Sequence, residues 1–406
     1  MSERARILAI CFLAWTFTNL DQSLFGYTIP SLMREFSITL DQIGLILSGS
    51  FVFAIFSTIA VGLFADRFGR RIALASCLFL SALAVGLTGA VVGIFTLFLA
   101  RALGFGLSNG LSPVTGAYVS EASPAQWRGL FMGILMCGFP LGWFLASLIA
   151  APLLESHGWR AVFFCAFAVA PIAVAMYFLL PESAYFERAK AAGRTTIPWR
   201  ITLAELFGPA YRARTLLCAL AFFSYGGAYA GTAFYFPSFF QAVRGYSEAD
   251  AARIVGLAYG VGVFGYIAAA LVGEYLLTRR NTAIIWCWLG ALCLGVLVWL
   301  PRTYGQDILA FGLLAMFFYG ASAVMLTIVT EQFPTRLRAT AVAVAASAGL
   351  NLGFAVYPFL VARLVGYLGW QEAFTIMIAP SLVLSGIFLL WLPNLRSARA
   401  LETEDA

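Results

Sequence analysis

Apolar residues run in long unbroken blocks along this chain, and polar residues are confined to the short stretches between them. A membrane-spanning helix needs roughly 20 apolar residues, and about twelve blocks supply them. They lie near 7–30, 42–65, 72–93, 94–118, 130–153, 160–180, 215–240, 254–277, 283–301, 308–330, 340–362 and 371–392. Transmembrane barrel strands alternate over roughly 10 residues, and these blocks are too long and too continuous for that. The pattern predicts an all-α polytopic membrane protein of twelve spans. The first block is longer than the apolar part of a secretory leader and holds Asp21, so it is expected to be retained as span 1.

Composition agrees: 62% of the 406 residues are hydrophobic and 11% are charged. The net charge of +6 reflects membrane topology rather than nucleic-acid binding. With the N-terminus inside, only Arg34, Arg160, Arg244, Arg253, Arg302 and Arg363 fall outside and Arg101 falls within a span. The rest of the 25 Lys and Arg are cytoplasmic. That asymmetry fits the positive-inside rule and predicts two cytoplasmic termini. The 7 cysteines lie in apolar blocks without metal-ligand spacing, and the single histidine, His157, sits in a short outer loop. No metal or other cofactor is expected.

The longest polar stretch, Pro181 to Arg214, divides the chain into six spans and six spans. The expected organisation is a first half over 1–180, a cytoplasmic central loop over 181–214, a second half over 215–393 and a tail over 394–406. Short amphipathic helices are expected at 182–192 and 202–206. The halves repeat: Glu121-x-x-Pro124-x-x-x-Arg128 returns as Glu331-x-x-Pro334-x-x-x-Arg338, 210 residues on. Gly158-Trp159-x-x-x-Phe163 returns as Gly369-Trp370-x-x-x-Phe374, 211 residues on. Matching motifs at matching topological positions argue for a duplicated six-helix unit.

Between spans 2 and 3 stands Gly62-x-x-x-Asp66-Arg67-x-Gly69-Arg70-Arg71. This loop resembles the signature between helices 2 and 3 of the major facilitator superfamily of transporters. The resemblance implies two pseudo-symmetric six-helix halves that work by alternating access at a site between them. It also implies that Arg67, Arg70 and Arg71 clamp the cytoplasmic side while Asp66 faces a helix N-terminus of the other half. Glu121 and Arg128, with Glu331 and Arg338, are expected to add inter-helix ion pairs.

Only two ionisable groups lie well inside the spans, Asp21 and Arg101. At 1.5 Å per residue Asp21 is roughly 20 Å from the inner end of span 1, and Arg101 roughly 10 Å from the outer end of span 4. In a hydrocarbon layer roughly 30 Å thick they share one height. A lone charge there costs several kcal/mol, so a partner or a wet cavity is expected. Asp21-x4-Gly26-x3-Pro30, and Arg101 with Pro113, resemble helices 1 and 4 of the aromatic-acid:proton symporters. Asp21-Gln22 also resembles the anion:cation symporters. Both resemblances imply a proton-coupled carrier of organic anions, with Asp21 as proton site and Arg101 as its partner and the substrate's.

Toward the centre the later spans offer mainly aromatic side chains. Tyr225 and Tyr229 of span 7, with Tyr319 and Asn351, are the expected substrate contacts. Spans 5, 7, 8 and 10 lack Gln and Asn over the ranges above, which weighs against a sugar. A proton-driven exporter of a drug or metabolite is the alternative. No nucleophile–base constellation suggests an enzyme. The expected setting is a bacterial inner membrane, with the protein a monomer whose partners are protons, a small organic anion and lipid.

Overall fold

The computed structural model describes residues 3–124, 128–183, 199–334 and 337–395. Twelve helices in these ranges are long and apolar enough to cross a membrane. Spans 1 to 6 are Glu3–Phe36, Leu40–Ala65, Arg70–Ala90, Ile94–Ala122, Phe131–Ser156 and Trp159–Leu179. Spans 7 to 12 are Arg212–Ala233, Glu248–Leu276, Arg279–Trp299, Tyr304–Gln332, Val342–Leu368 and Trp370–Leu390. Several helices outrun the apolar blocks, because their ends carry charges that pair or reach water: Arg34 extends span 1, and Glu248 and Arg253 open span 8. Span 7 breaks after Ala233, and a separate helix, Phe236–Arg244, begins with Pro237 in its first turn. Pro is favoured there because its missing N–H has no helical acceptor to lose.

The chain forms two compact units. The first comprises Met1–Arg194 and Phe234–Gly260, the second Thr195–Ala233 and Val261–Ala406. In the first, spans 1 and 5, 2 and 4, and 3 and 6 pack together; in the second, spans 7 and 11 and spans 9 and 12 do the same. The recurrence of 1·5 as 7·11 and of 3·6 as 9·12 expresses the sequence repeat in three dimensions. Small residues set these crossings. A Cβ at Gly142 would meet the span 1 backbone at Thr16 and Leu20, and in lipid such close approach is what holds helices together. The first unit's apolar core gathers Cys11, Leu74, Leu78, Tyr118, Leu135 and Ala173.

The repeated Gly-Trp motif has a backbone cause. Gly158 (φ 76°, ψ 178°) and Gly369 (φ 91°, ψ 170°) each cap the start of the helix that follows, and Gly369 also caps the end of the one before. That region of backbone space is open almost only to glycine. Of the two amphipathic helices expected in the central stretch, the second is present as Trp199–Leu206. The first falls mostly on 184–198, outside the described residues, as does most of the 394–406 tail.

Candidate functional site

Asp21 is wholly buried on span 1 and Arg101 is 1% exposed on span 4. Both carboxylate oxygens of Asp21, and Nε and Nη1 of Arg101, are buried without a hydrogen-bond partner. The two groups lie within electrostatic reach of one another, yet no hydrogen-bonded ion pair closes between them. Arg101 instead rests on aromatic rings. Its guanidinium carbon is 4.2 Å from the Phe105 centroid, 4.6 Å from that of Phe25 and 5.9 Å from that of Phe163. A desolvated guanidinium over ring faces gains about 2 kcal/mol or more. The sequence makes the charges conspicuous but not these rings, although it carries a signal for them. Phe25 and Phe105 stand one helical turn after Asp21 and Arg101, on the same helix faces.

Beyond Phe105 a buried aromatic layer continues through the first unit. Phe105 contacts Phe51 at 5.0 Å and Phe234 at 5.6 Å; Phe234 contacts Trp143 at 5.4 Å, and Trp143 stacks on Tyr259 at 4.7 Å. Past this layer lies a charged rim at the span ends. Glu248 pairs with Arg34 and accepts a hydrogen bond from Ser31 at 2.6 Å. Arg253 pairs with Glu155 at 2.8 Å and Asp250 at 2.9 Å. Arg34 and Arg253 are therefore interfacial charges with fixed partners.

In the second unit Tyr229 meets Tyr319 at 4.9 Å and stacks on Phe354 at 6.0 Å. Tyr225 is placed differently from the expectation of a substrate contact. Its hydroxyl donates to the Phe318 carbonyl at 2.8 Å and shares a 2.6 Å hydrogen bond with Ser322, so it ties span 7 to span 10. Asn351 donates to the Ser347 carbonyl one turn back, at 2.9 Å, which leaves its side-chain oxygen outside that bond. Asp307, a buried acid in the first turn of span 10, escaped the sequence reading because it sits so near a span end.

The loop between spans 2 and 3 is built around Gly69, at φ 105° and ψ 154°. Glu182, just past span 6, accepts hydrogen bonds from the backbone N–H of Arg70 at 2.9 Å and of Arg71 at 3.3 Å. An anion at a helix N-terminus satisfies orphan donors and opposes the macrodipole. Arg70 pairs with Glu121 at 2.8 Å. Arg71 lies over the Tyr177 ring at 4.5 Å, and Arg67 over Phe68 at 5.3 Å. Gly62 is partly exposed with nothing near its Cβ position. The side chains of Asp66 and Arg128 lie outside the description.

The second unit carries a variant of this arrangement. Glu331 pairs with Arg279, which also pairs with Glu274 at 2.5 Å. Arg338, expected in an ion pair, donates from Nε to the Phe333 carbonyl at 3.1 Å. Thr278 caps span 9 and donates to Asn394 at 2.7 Å. A cavity of about 330 Å³ opens here, lined by Glu274, Arg279, Asn281, Glu331 and Asn394 among others. Thus Pro181-Glu182 and Pro393-Asn394 sit at matching places, each reaching the N-terminus of the unit's third helix. The glutamate does so directly, and the asparagine does so through a threonine.

The chain resembles known proteins along nearly its full length. It is 29% identical to a cis,cis-muconate transport protein of Acinetobacter baylyi, over 86% of this chain and 84% of that one. It is 25% identical to the 4-hydroxybenzoate transporter PcaK of Pseudomonas aeruginosa, over 95% of this chain and 92% of that one. The solved D-xylose-proton symporter shares the fold, with a TM-score of 0.77 at 16% identity, covering 97% of this chain and 99% of that one. The model of the Major Facilitator Superfamily matches residues 11–347. With twelve spans in two repeating halves and a signature loop between spans 2 and 3, the chain is a multi-pass membrane transporter and belongs to the Major Facilitator Superfamily.

Proposed function

We propose that the protein is a proton-coupled symporter that imports a small organic carboxylate, aromatic or conjugated, by alternating access. The observation that carries this reading is the buried Asp21 and Arg101, within electrostatic reach of one another but not hydrogen-bonded, with uncommitted arginine donors at Nε and Nη1. Arginine suits a carboxylate because its planar fork donates two parallel hydrogen bonds. The names of the similar transporters, which are those of carboxylates, support the substrate class.

In this reading a proton on Asp21 frees Arg101 to hold the incoming carboxylate. When Asp21 loses the proton inside, the Asp21–Arg101 pair forms and the substrate leaves. The unpaired arrangement is the one the first step requires. Tyr229, Tyr319 and Asn351 would line the substrate path, with Tyr225 holding the wall that carries them. Gly62, Asp66, Arg67, Gly69, Arg70, Arg71, Glu121, Arg128, Glu331 and Arg338 would serve the cytoplasmic gate. Both termini face the cytoplasm of a bacterial inner membrane, and the monomer suffices.

Proteoliposomes of defined orientation test the reading. Labelled benzoate, 4-hydroxybenzoate and cis,cis-muconate are offered with an imposed pH gradient, acid outside. Accumulation of at least one above equilibrium, abolished by a protonophore, is expected. Accumulation only when the gradient is reversed would instead establish an exporter.

A further inference from the structure

We infer that Phe105 is a positioning residue for the carboxylate grip: with Phe25 it holds Arg101 by its π face and keeps the guanidinium's edge donors open to an anion. The inference rests on the organic-anion reading above. Hydrogen bonds from a guanidinium leave from its N–H edges, whereas attraction to an aromatic ring acts through the ring face. Ring contact therefore steadies the cation without using its donors. A carboxylate in the same place would satisfy the arginine and close it to substrate. Here the rings lie at 4.2 and 4.6 Å, and Nε and Nη1 have no acceptor. Each of the two edges of the fork thus keeps a donor to offer.

Phe105 is the better placed of the two rings to set Arg101's position. It follows Arg101 by one turn of the same helix, and its own ring is locked by Phe51 at 5.0 Å and Phe234 at 5.6 Å. It is 1% exposed. A leucine there would fill much of the space and leave the cation without its closest ring. Arg101 would then turn toward an anion within electrostatic reach, Asp21, and be lost to the substrate.

The test separates ring electronics from shape. Mono-, di- and trifluorinated phenylalanine are placed at position 105 and compared with wild type and Phe105→Leu, with benzoate as the probe. Fluorine drains the ring face while nearly keeping its shape. Calorimetric affinity for benzoate should fall stepwise along the series, by about tenfold in all. The midpoint of ligand-free thermal unfolding should fall in the same order, and that order should vanish when Arg101→Met is also present. A flat fluorine series, with loss only in Phe105→Leu, overturns the inference, because packing alone would then account for the residue. If wild-type protein binds no benzoate, the organic-anion reading fails, while stepwise thermal midpoints still establish the ring as what holds Arg101.

Discussion

At the scale of single residues, the proposed chemistry rests on what Arg101 lacks as much as on what it touches. Buried charges are ordinarily paired, and this one has ring faces for company and free donors at its edges. Lysine at this position would keep the charge but not the fork, and its compact ammonium cannot hold both carboxylate oxygens in one plane. Arg101→Lys is therefore expected to fold and to bind a transported carboxylate about tenfold or more weakly, which is one lost charge-assisted hydrogen bond or more. Isothermal calorimetry at fixed pH checks this. Unchanged affinity would remove Arg101 from the substrate site. The sequence made Asp21 and Arg101 conspicuous because charges are rare in apolar blocks. Their aromatic company was hidden, because phenylalanine is ordinary in a span and one among 37 draws no notice.

At the scale of elements, the turn between spans 2 and 3 depends on two residues that act on one helix end. Gly69 occupies a backbone region that costs other residues about 1–3 kcal/mol, and a Cβ there would also meet the Glu182 carboxylate. Gly69→Ala should lower the thermal midpoint and displace Glu182 from the N-terminus of span 3. Glu182→Ala removes the acceptor for the Arg70 and Arg71 amides and should cost about 0.5–2 kcal/mol, the range for a lost helix cap. If the two act through the same cap, the double variant should lose less than the sum of the singles in thermal unfolding. Strict additivity would show that the strain at Gly69 and the cap at Glu182 are independent. The signature motif was legible at this scale, and so were the twelve spans, though not all of their ends: span 7 stops at Ala233 where its apolar block runs to 240, and spans 1 and 11 run on to Phe36 and Leu368 past blocks that close at 30 and 362. The partners were not. Glu182 is 112 residues from Arg70, and nothing in either local sequence says that the end of span 6 returns to the start of span 3. The pairing of Glu331 with Arg279 rather than Arg338 was hidden for the same reason: charge spacing along a chain does not report which helix ends meet.

At the scale of the whole molecule, coupling requires that the empty carrier and the loaded carrier reorient while half-loaded forms do not. Twelve apolar spans and a repeated six-helix unit could be read from the sequence because lipid imposes its own length on every helix. What moves against what could not, since that depends on differences in free energy between states of one chain. Asp21→Asn tests the proposed proton coupling directly. Asparagine is close in size to aspartate but cannot bind and release a proton, so the variant keeps Arg101 permanently available to an anion. Substrate binding should survive and lose part of its pH dependence. Exchange of labelled for unlabelled substrate should also survive, because exchange asks only loaded carriers to reorient. Uphill uptake under an imposed pH gradient should vanish, because the empty carrier can no longer neutralise Arg101 with an ionised partner as it returns. Thermal unfolding establishes first that the variant is folded, since Asp21 is wholly buried in span 1. Should folded Asp21→Asn protein still concentrate substrate against its gradient, the proton must travel on another acid. Asp307, buried at the start of span 10, is then the residue to replace next, and loss of uphill uptake in Asp307→Asn with exchange intact would move the coupling site to the second unit.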